Sequence, residues 1–309
     1  MQQLCEEETD MYKHVIVGVD GKEGGREAIA LAELLRAQDA ELTLAYVCRG
    51  EPVTWRGLGA GYEVFERERG REVLETAREE AGVDAQLLTH ESPKVGRGLH
   101  ELAEATGADL LVIGSSRRGL LGRVLIGDDT RAALNGAPCA VAIPPAGYTQ
   151  RPALMREIGV GYDGSPEAEH ALGFARELAR GLQTKLSAFE VVSFPAYMFM
   201  GPPIPDDATI EELVHGARKR VAGIEGVEPH AVYGQAAEEL ALYSASLDLL
   251  VIGSRSYGPI GRLVHGSTAQ QLARTARCPL LVLTRAAREA APTPVSLGGR
   301  KEASAGAAN

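Results

Sequence analysis

The stretch DLLVIGS occurs twice in the chain, at residues 109–115 and again at 248–254. Eleven of the nineteen positions from Asp109 to Gly127 are identical to those from Asp248 to Gly266, with no gap. Leu-Leu-Val-Ile is apolar without alternation, which reads as a central strand of a parallel sheet buried on both faces. The Gly-Ser that follows reads as the turn at the C-terminal end of that strand. Beyond the shared residues the copies part: Gly127 is followed by Asp128 and Asp129, Gly266 by Ser267 and Thr268.

The duplication extends outward from this stretch. HVIVGVDGKEGGREAIALAELL (14–35) matches EIGVGYDGSPEAEHALGFAREL (157–178), aligning Asp20 with Asp163. Each copy is a β-branched run, then Asp-Gly, then a helical pattern. Ala171, Phe174, Ala175 and Leu178 recur at i, i+3, i+4 and i+7, one apolar face of a helix. ELTLAYV (41–47) and KLSAFEV (185–191) follow as strands, and charged helices are expected over 63–81 and 207–222. AQLLTHE and HAVYG read as strands, GLHELAEATG and AAEELALYSAS as helices. DLLVIGS, a helix after Gly127 or Gly266, and a last strand (CAVAIPP or CPLLVLT) complete each half.

The order is βαβαβαβαβ twice, an α/β protein of two Rossmann-like units, each a five-stranded parallel sheet sandwiched by helices. The expected domains are 11–147 and 154–287, joined near AGYTQRPALM (146–155). Residues 288–309 carry small residues, Pro and Gly without apolar periodicity, and a disordered tail is expected there.

A chain of 309 residues with 45% apolar and 24% charged residues suits two ordinary domains. A net charge of -10 argues against nucleic acid as a partner but not against a small anion held by backbone amides. Cys5, Cys48, Cys139 and Cys278 form no CxxC and no zinc spacing. Cys139 and Cys278 stand just before the two last strands, where small buried residues are expected. The acidic start, MQQLCEEETDMYK, lacks the apolar run of a signal peptide, and no stretch has membrane-helix length, so a cytoplasmic protein away from membranes is expected.

In open parallel sheets, ligands bind beyond the strand C-termini where strand order reverses. In the second half that place collects Asp163, the strand end near Val191, and the loop after Gly253. Gly253 leaves room beside the backbone, Ser254 offers a hydroxyl, and Gly266, Ser267 and Thr268 open a helix whose unpaired N–H groups favour phosphate. A plain turn at Gly266 with an N-cap at Ser267 or Thr268 fits the same residues equally well. There is neither a Walker A loop nor GxGxxG.

The repeated unit, its first-strand Asp and the loop Gly-x2-Gly-x9-Gly-Ser/Thr resemble the universal stress protein family in its tandem form. The resemblance covers about residues 11–287. It implies the family's adenine nucleotide alpha hydrolase-like fold and, in its ATP-binding class, bound ATP with Mg²⁺. The loop maps onto Gly253, Ser256, Gly266 and Ser267, with Ser256 in place of Gly. By the same resemblance Asp163 meets ribose or a metal-linked group, Val191 meets adenine through its backbone, and Ile252 packs on the nucleoside. Ser267 and Thr268 hold phosphates, and Gly234 lines the cleft. It also implies that the last strands, Cys139–Ile143 and Cys278–Leu283, meet in an antiparallel pairing that makes the halves an intramolecular pseudo-dimer. Whether two chains form a homodimer is left open.

The first-half counterparts are Asp20, Val47, Ile113, Gly114 and Gly127, but here the loop reads Gly114, Arg117, Gly127, Asp128. Asp128 and Asp129 place carboxylates where phosphate would sit. Two unit charges ~4 Å apart at an effective dielectric of ~20 interact by ~4 kcal/mol, here unfavourably. Glu91, aligned with Gly234, adds another acidic group. The first half is therefore expected to bind ATP weakly or not at all.

His14, His90, His100, His170, His215, His230 and His265 are scattered, and none forms a catalytic or metal-binding set. Of these His265 stands nearest the candidate loop, and Arg123 and Arg262 share a register four residues before the loop glycine. With no general base or activated nucleophile readable, the leading expectation is an ATP-holding stress or regulatory protein. The alternatives are a ligand-free scaffold and a slow ATP hydrolase.

Overall fold

In the computed structural model the described residues are 11–49, 59–115, 124, 128–150, 155–193, 206–254 and 267–283, with backbone alone at 59–63 and 267. The first half runs β1 (Tyr12–Gly18), α1 (Glu23–Leu35), β2 (Arg36–Arg49), α2 (Gly59–Ala81), β3 (Gln86–Ser92), α3 (Val95–Thr106), β4 (Leu110–Ile113), α4 (Asp128–Leu134) and β5 (Ala140–Ile143). The second repeats it as β6 (Glu157–Tyr162), α5 (Pro166–Leu182), β7 (Lys185–Val192), α6 (Asp207–Ala222), β8 (Glu228–Tyr233), α7 (Ala236–Tyr243), β9 (Leu249–Gly253), α8 (Ser267–Thr275) and β10 (Leu280–Leu283).

The ten strands form one sheet in the order β3-β2-β1-β4-β5-β10-β9-β6-β7-β8. Two five-stranded sheets meeting through their last strands were expected, and they are the two halves of this one. Every pairing within a half is parallel, whereas β5 and β10 pair antiparallel, with Leu281 opposite Ala142. The order of each half places its switch point between the first and fourth strands, where β1 pairs with β4 and β6 with β9.

DLLVIGS occupies the middle of each half, and its alternation divides the core. Leu110 and Val112 face one buried cluster with α1, α2 and the matching helices of the second half; Leu111 and Ile113 face the other. Leu249 and Val251, against Leu250 and Ile252, do the same. The leading Asp has a structural task. The Asp109 carboxylate accepts the backbone N–H groups of Lys13 at 2.8 Å and His14 at 3.0 Å. Asp248 accepts those of Arg156 at 2.8 Å and Glu157 at 3.1 Å. Each thus fixes the start of the neighbouring strand in register.

β2 begins earlier than its apolar pattern, at Arg36, where it pairs with Tyr12 before a register shift near His14. α2 begins at Gly59, ahead of the expected 63. AAEELALYSAS is α7 followed by a 3-10 turn at Ser244–Ser246. Cys139 and Cys278 are buried at the starts of β5 and β10. Burial pushes the Cys139 thiol up to about 12 and raises that of Cys278. Cys5, Trp55, Tyr62, the run 194–205 and the tail 288–309 lie outside the described side chains.

Candidate functional site at the strand ends

The C-terminal ends of β6 and β9 lie side by side, Gly161 opposite Ile252. Asp163 leaves β6 there and its Oδ1 accepts the Ser165 N–H at 3.0 Å. Ser165 in turn caps α5 by accepting from the Ala168 N–H at 3.3 Å. Ile252 is buried, Gly253 ends β9, and the Ser254 N–H donates to the Leu283 carbonyl at 2.9 Å. On the other side of β6, Val191 is half-buried near the end of β7. The Gly234 N–H donates to Val192 O at 3.1 Å, and the Ser193 hydroxyl donates to Gly234 O at 2.7 Å. Asp163, Val191, Gly234, Ile252, Gly253 and Ser254 thus gather at one end of the sheet.

α8 opens with Ser267 and Thr268, the latter half-buried. Amides at such a start have no acceptor within the helix. Ser256, Gly266 and the side chain of Ser267 lie outside what the structure describes, as do Arg117, Gly127, Arg123, Arg262 and His265.

Gly253 is smaller than a side chain for a reason the sequence did not show. A Cβ there would lie far inside van der Waals contact of the Glu167 carbonyl in the first turn of α5. Gly114 stands in the same relation to the Gly24 backbone in α1. The room beside these glycines is filled by a helix, so they set how closely helix and strand pack at the cleft.

The first-half cleft is built on the same frame and carries its own countercharges. Asp20 Oδ1 accepts the Lys22 N–H at 3.1 Å, and Oδ2 pairs with Lys22 Nζ at 2.6 Å. Asp129, at the start of α4, pairs with Arg49 Nη2 at 2.5 Å, and Asp128 pairs with Arg131 at 2.9 Å. The Arg49–Asp129 bridge runs from the end of β2 to the start of α4. Its side chains are 62% and 51% exposed, so it contributes only ~0–1 kcal/mol to stability. What matters is its position. The described contacts of both carboxylates are with guanidinium groups. The Thr130 hydroxyl donates to Gly114 O at 3.3 Å, and the Ser115 hydroxyl is buried without a hydrogen-bond partner among the described residues.

Strand register corrects one alignment. Val47 pairs with His90, Cys48 with Glu91 and Arg49 with Ser92, whereas Val191 pairs with Val232 and Val192 with Tyr233. Ser92, not Glu91, therefore stands where Gly234 does. Glu91 is held by Arg67 at 2.5 Å. Arg49 and Lys22 escaped the sequence reading, although each follows a cleft residue by two positions.

Among the described residues no three His, Cys, Asp or Glu side chains come together as a metal site. No helix among them is long and apolar enough to cross a membrane.

The description "Universal stress protein family" belongs to the family model that matches residues 11–145 and again 155–284. A universal stress protein of Mycobacterium tuberculosis (strain ATCC 25618 / H37Rv) is 28% identical over 283 residues, covering 87% of this chain and 96% of its own. Another from the same strain is 26% identical over 287 residues, with 87% and 95% covered. The crystal structure of a universal stress protein from Archaeoglobus fulgidus DSM 4304 superposes with a TM-score of 0.65 at 18% identity, covering 88% of this chain and 98% of that one. With both halves matched, this chain belongs to the universal stress protein family in its tandem, two-domain form.

Proposed function

We propose that the chain is a regulatory stress protein that holds one ATP, with Mg²⁺ on its phosphates, in the cleft of the second half. The observation that carries this reading is the asymmetry of the two clefts. In the first half, the Lys22–Asp20 and Arg49–Asp129 pairs take the places a nucleotide would need, so that a phosphate would have to displace Asp129 from Arg49 rather than only meet its charge. In the second, the same frame ends in a Ser-Thr helix start, and Ser165 and Ser193 replace Lys22 and Arg49. Asp163, Val191, Gly234, Ile252, Gly253, Ser254 and Thr268 form the expected lining, completed by Ser256, Gly266 and Ser267. Phosphate at a helix start gains from the unpaired amides and the helix dipole.

No step of hydrolysis is assigned, because among the described residues of this cleft none stands out as a general base. The proposal extends to a cytoplasmic protein in domains 11–147 and 154–287.

The test uses the full chain, since cutting it would expose the β5 and β10 edges. Nucleotide retained on gentle purification is identified by mass spectrometry, and Mg·ATP binding is measured by calorimetry. One ATP per chain is expected. Ser267→Asp should weaken binding at least ~10-fold, a loss of ~1.4 kcal/mol or more. Asp129→Asn should leave the second-half affinity unchanged. Two equal sites, or an unaffected Ser267→Asp variant, would contradict the reading. Protein that takes up no ATP would favour the scaffold.

A further inference from the structure

At the opposite end of the sheet from this cleft, the second half has a cavity of about 430 Å³. It lies between the last turn of α5, the start of β7 and the turn that leads into β8. Its volume falls in the range of small-molecule sites, about 300–1,000 Å³. Ala179 and Leu186, both nearly buried, give it an apolar floor. Three cationic side chains line it: Arg176, Arg180 and Lys185.

Their contacts leave the cavity positively charged. Arg176 donates through Nη2 to the Glu225 carbonyl at 3.3 Å, which spends no countercharge. Arg180 pairs with Glu177 at 2.5 Å. The Lys185 N–H donates to Arg156 O at 3.0 Å, while its ammonium has no ion pair among the described residues. The lining carboxylate, Glu228, faces His230 at 3.6 Å.

The backbone supplies a second observation. Gln183 closes α5 at φ 51, the non-glycine residue with positive φ among the described residues. That conformation ordinarily falls to glycine or asparagine, and a bulkier residue costs roughly 1–3 kcal/mol there. Here it sets an amide side chain in the cavity wall, opposite Gly226 at φ 72. The duplicated fold does not require this arrangement. In the first half α1 passes straight into β2 through Arg36, whose backbone is extended at φ -83 and ψ 151. The strained cap and its cations are particular to the second half.

We propose that this cavity binds the anionic group of a small organic molecule, held by Arg176, Lys185 and the Gln183 amide, with its apolar part on Ala179 and Leu186. The inference is independent of ATP in the cleft. It is tested by titrating the isotope-labelled full chain with inorganic phosphate and, separately, with succinate, following the amide signals of Gln183, Lys185 and Gly226. Saturable shifts with at least one probe are expected, and which probe saturates identifies a phosphoryl or a carboxylate ligand. Lys185→Gln alone should weaken the apparent affinity, and Arg176→Gln with Lys185→Gln should weaken it roughly 10-fold, about 1.4 kcal/mol. Arg71→Gln makes the same charge change on distant α2, where Arg71 is 78% exposed, and should leave the affinity unaltered. Retained ATP should be the same in all these variants. No saturable shift with either probe, an unchanged affinity in the double variant, or an equal loss in Arg71→Gln would overturn the proposal.

Discussion

Gly253 shows how one residue answers to two demands. Its place at the end of β9 looks like access for a ligand, yet the backbone of α5 occupies the space a side chain would need. Gly253→Ala should therefore destabilise the fold by ~1–3 kcal/mol, the usual range for forcing extra volume into a packed site. Gly173, inside α5 with nothing near its missing Cβ, is the control. Gly173→Ala should stabilise by roughly 0.5–1 kcal/mol. Urea denaturation midpoints compare the two, and equal effects would show that the α5–β9 contact is looser than the structure has it. The glycine was legible in the sequence because it repeats at 114 and 253. Its reason was not, because Glu167 lies 86 residues away in the chain.

At the scale of elements, β10 carries the joint between the halves. Leu281 is fully buried and pairs with Ala142 across the antiparallel seam. Leu281→Ala should cost ~2–5 kcal/mol, as for other large-to-small changes in cores. Leu281→Asp adds an unpaired buried charge and should open the seam or unfold the chain. Denaturation together with small-angle scattering reads both effects; native stability and compactness in Leu281→Asp would exclude this seam. Most elements could be read locally because their apolar periods are clear. The exceptions are instructive: residues 36–40 of β2 lack an apolar run, and there Arg36 pairs with Tyr12 before a register shift brings Glu41 opposite His14.

Across the whole molecule, α1 of the first half is tied to the connector between halves. The buried Glu27 carboxylate accepts the Gly147 N–H and is also bonded by the Tyr148 N–H. Burial raises the Glu27 pKa above the ordinary carboxylate value, overriding the lowering by these two donors. Because the folded chain holds this proton more tightly, Glu27 contributes stability that is full below its unfolded pKa. That contribution is lost as pH rises through the folded value. Glu27→Gln, which keeps an acceptor for the connector amides, should remove this component of the pH dependence. Denaturation midpoints from pH 4 upward measure it. An unchanged slope would mean that the carboxylate is hydrated in solution. The connector itself could be placed from composition, but not its anchor, because Glu27 sits in a helical pattern like any surface glutamate.

The sequence alone determined the duplication and the α/β order, since these rest on local periodicity and on two copies that read each other. Tertiary structure decided what lies beside each residue. It set the register of the antiparallel seam that the family resemblance had implied, with Leu281 opposite Ala142, moved the counterpart of Gly234 from Glu91 to Ser92, and put Arg49 on Asp129. Those outcomes depend on strand register and on side chains brought together from distant segments, and a one-residue shift in register changes which side chain faces the cleft.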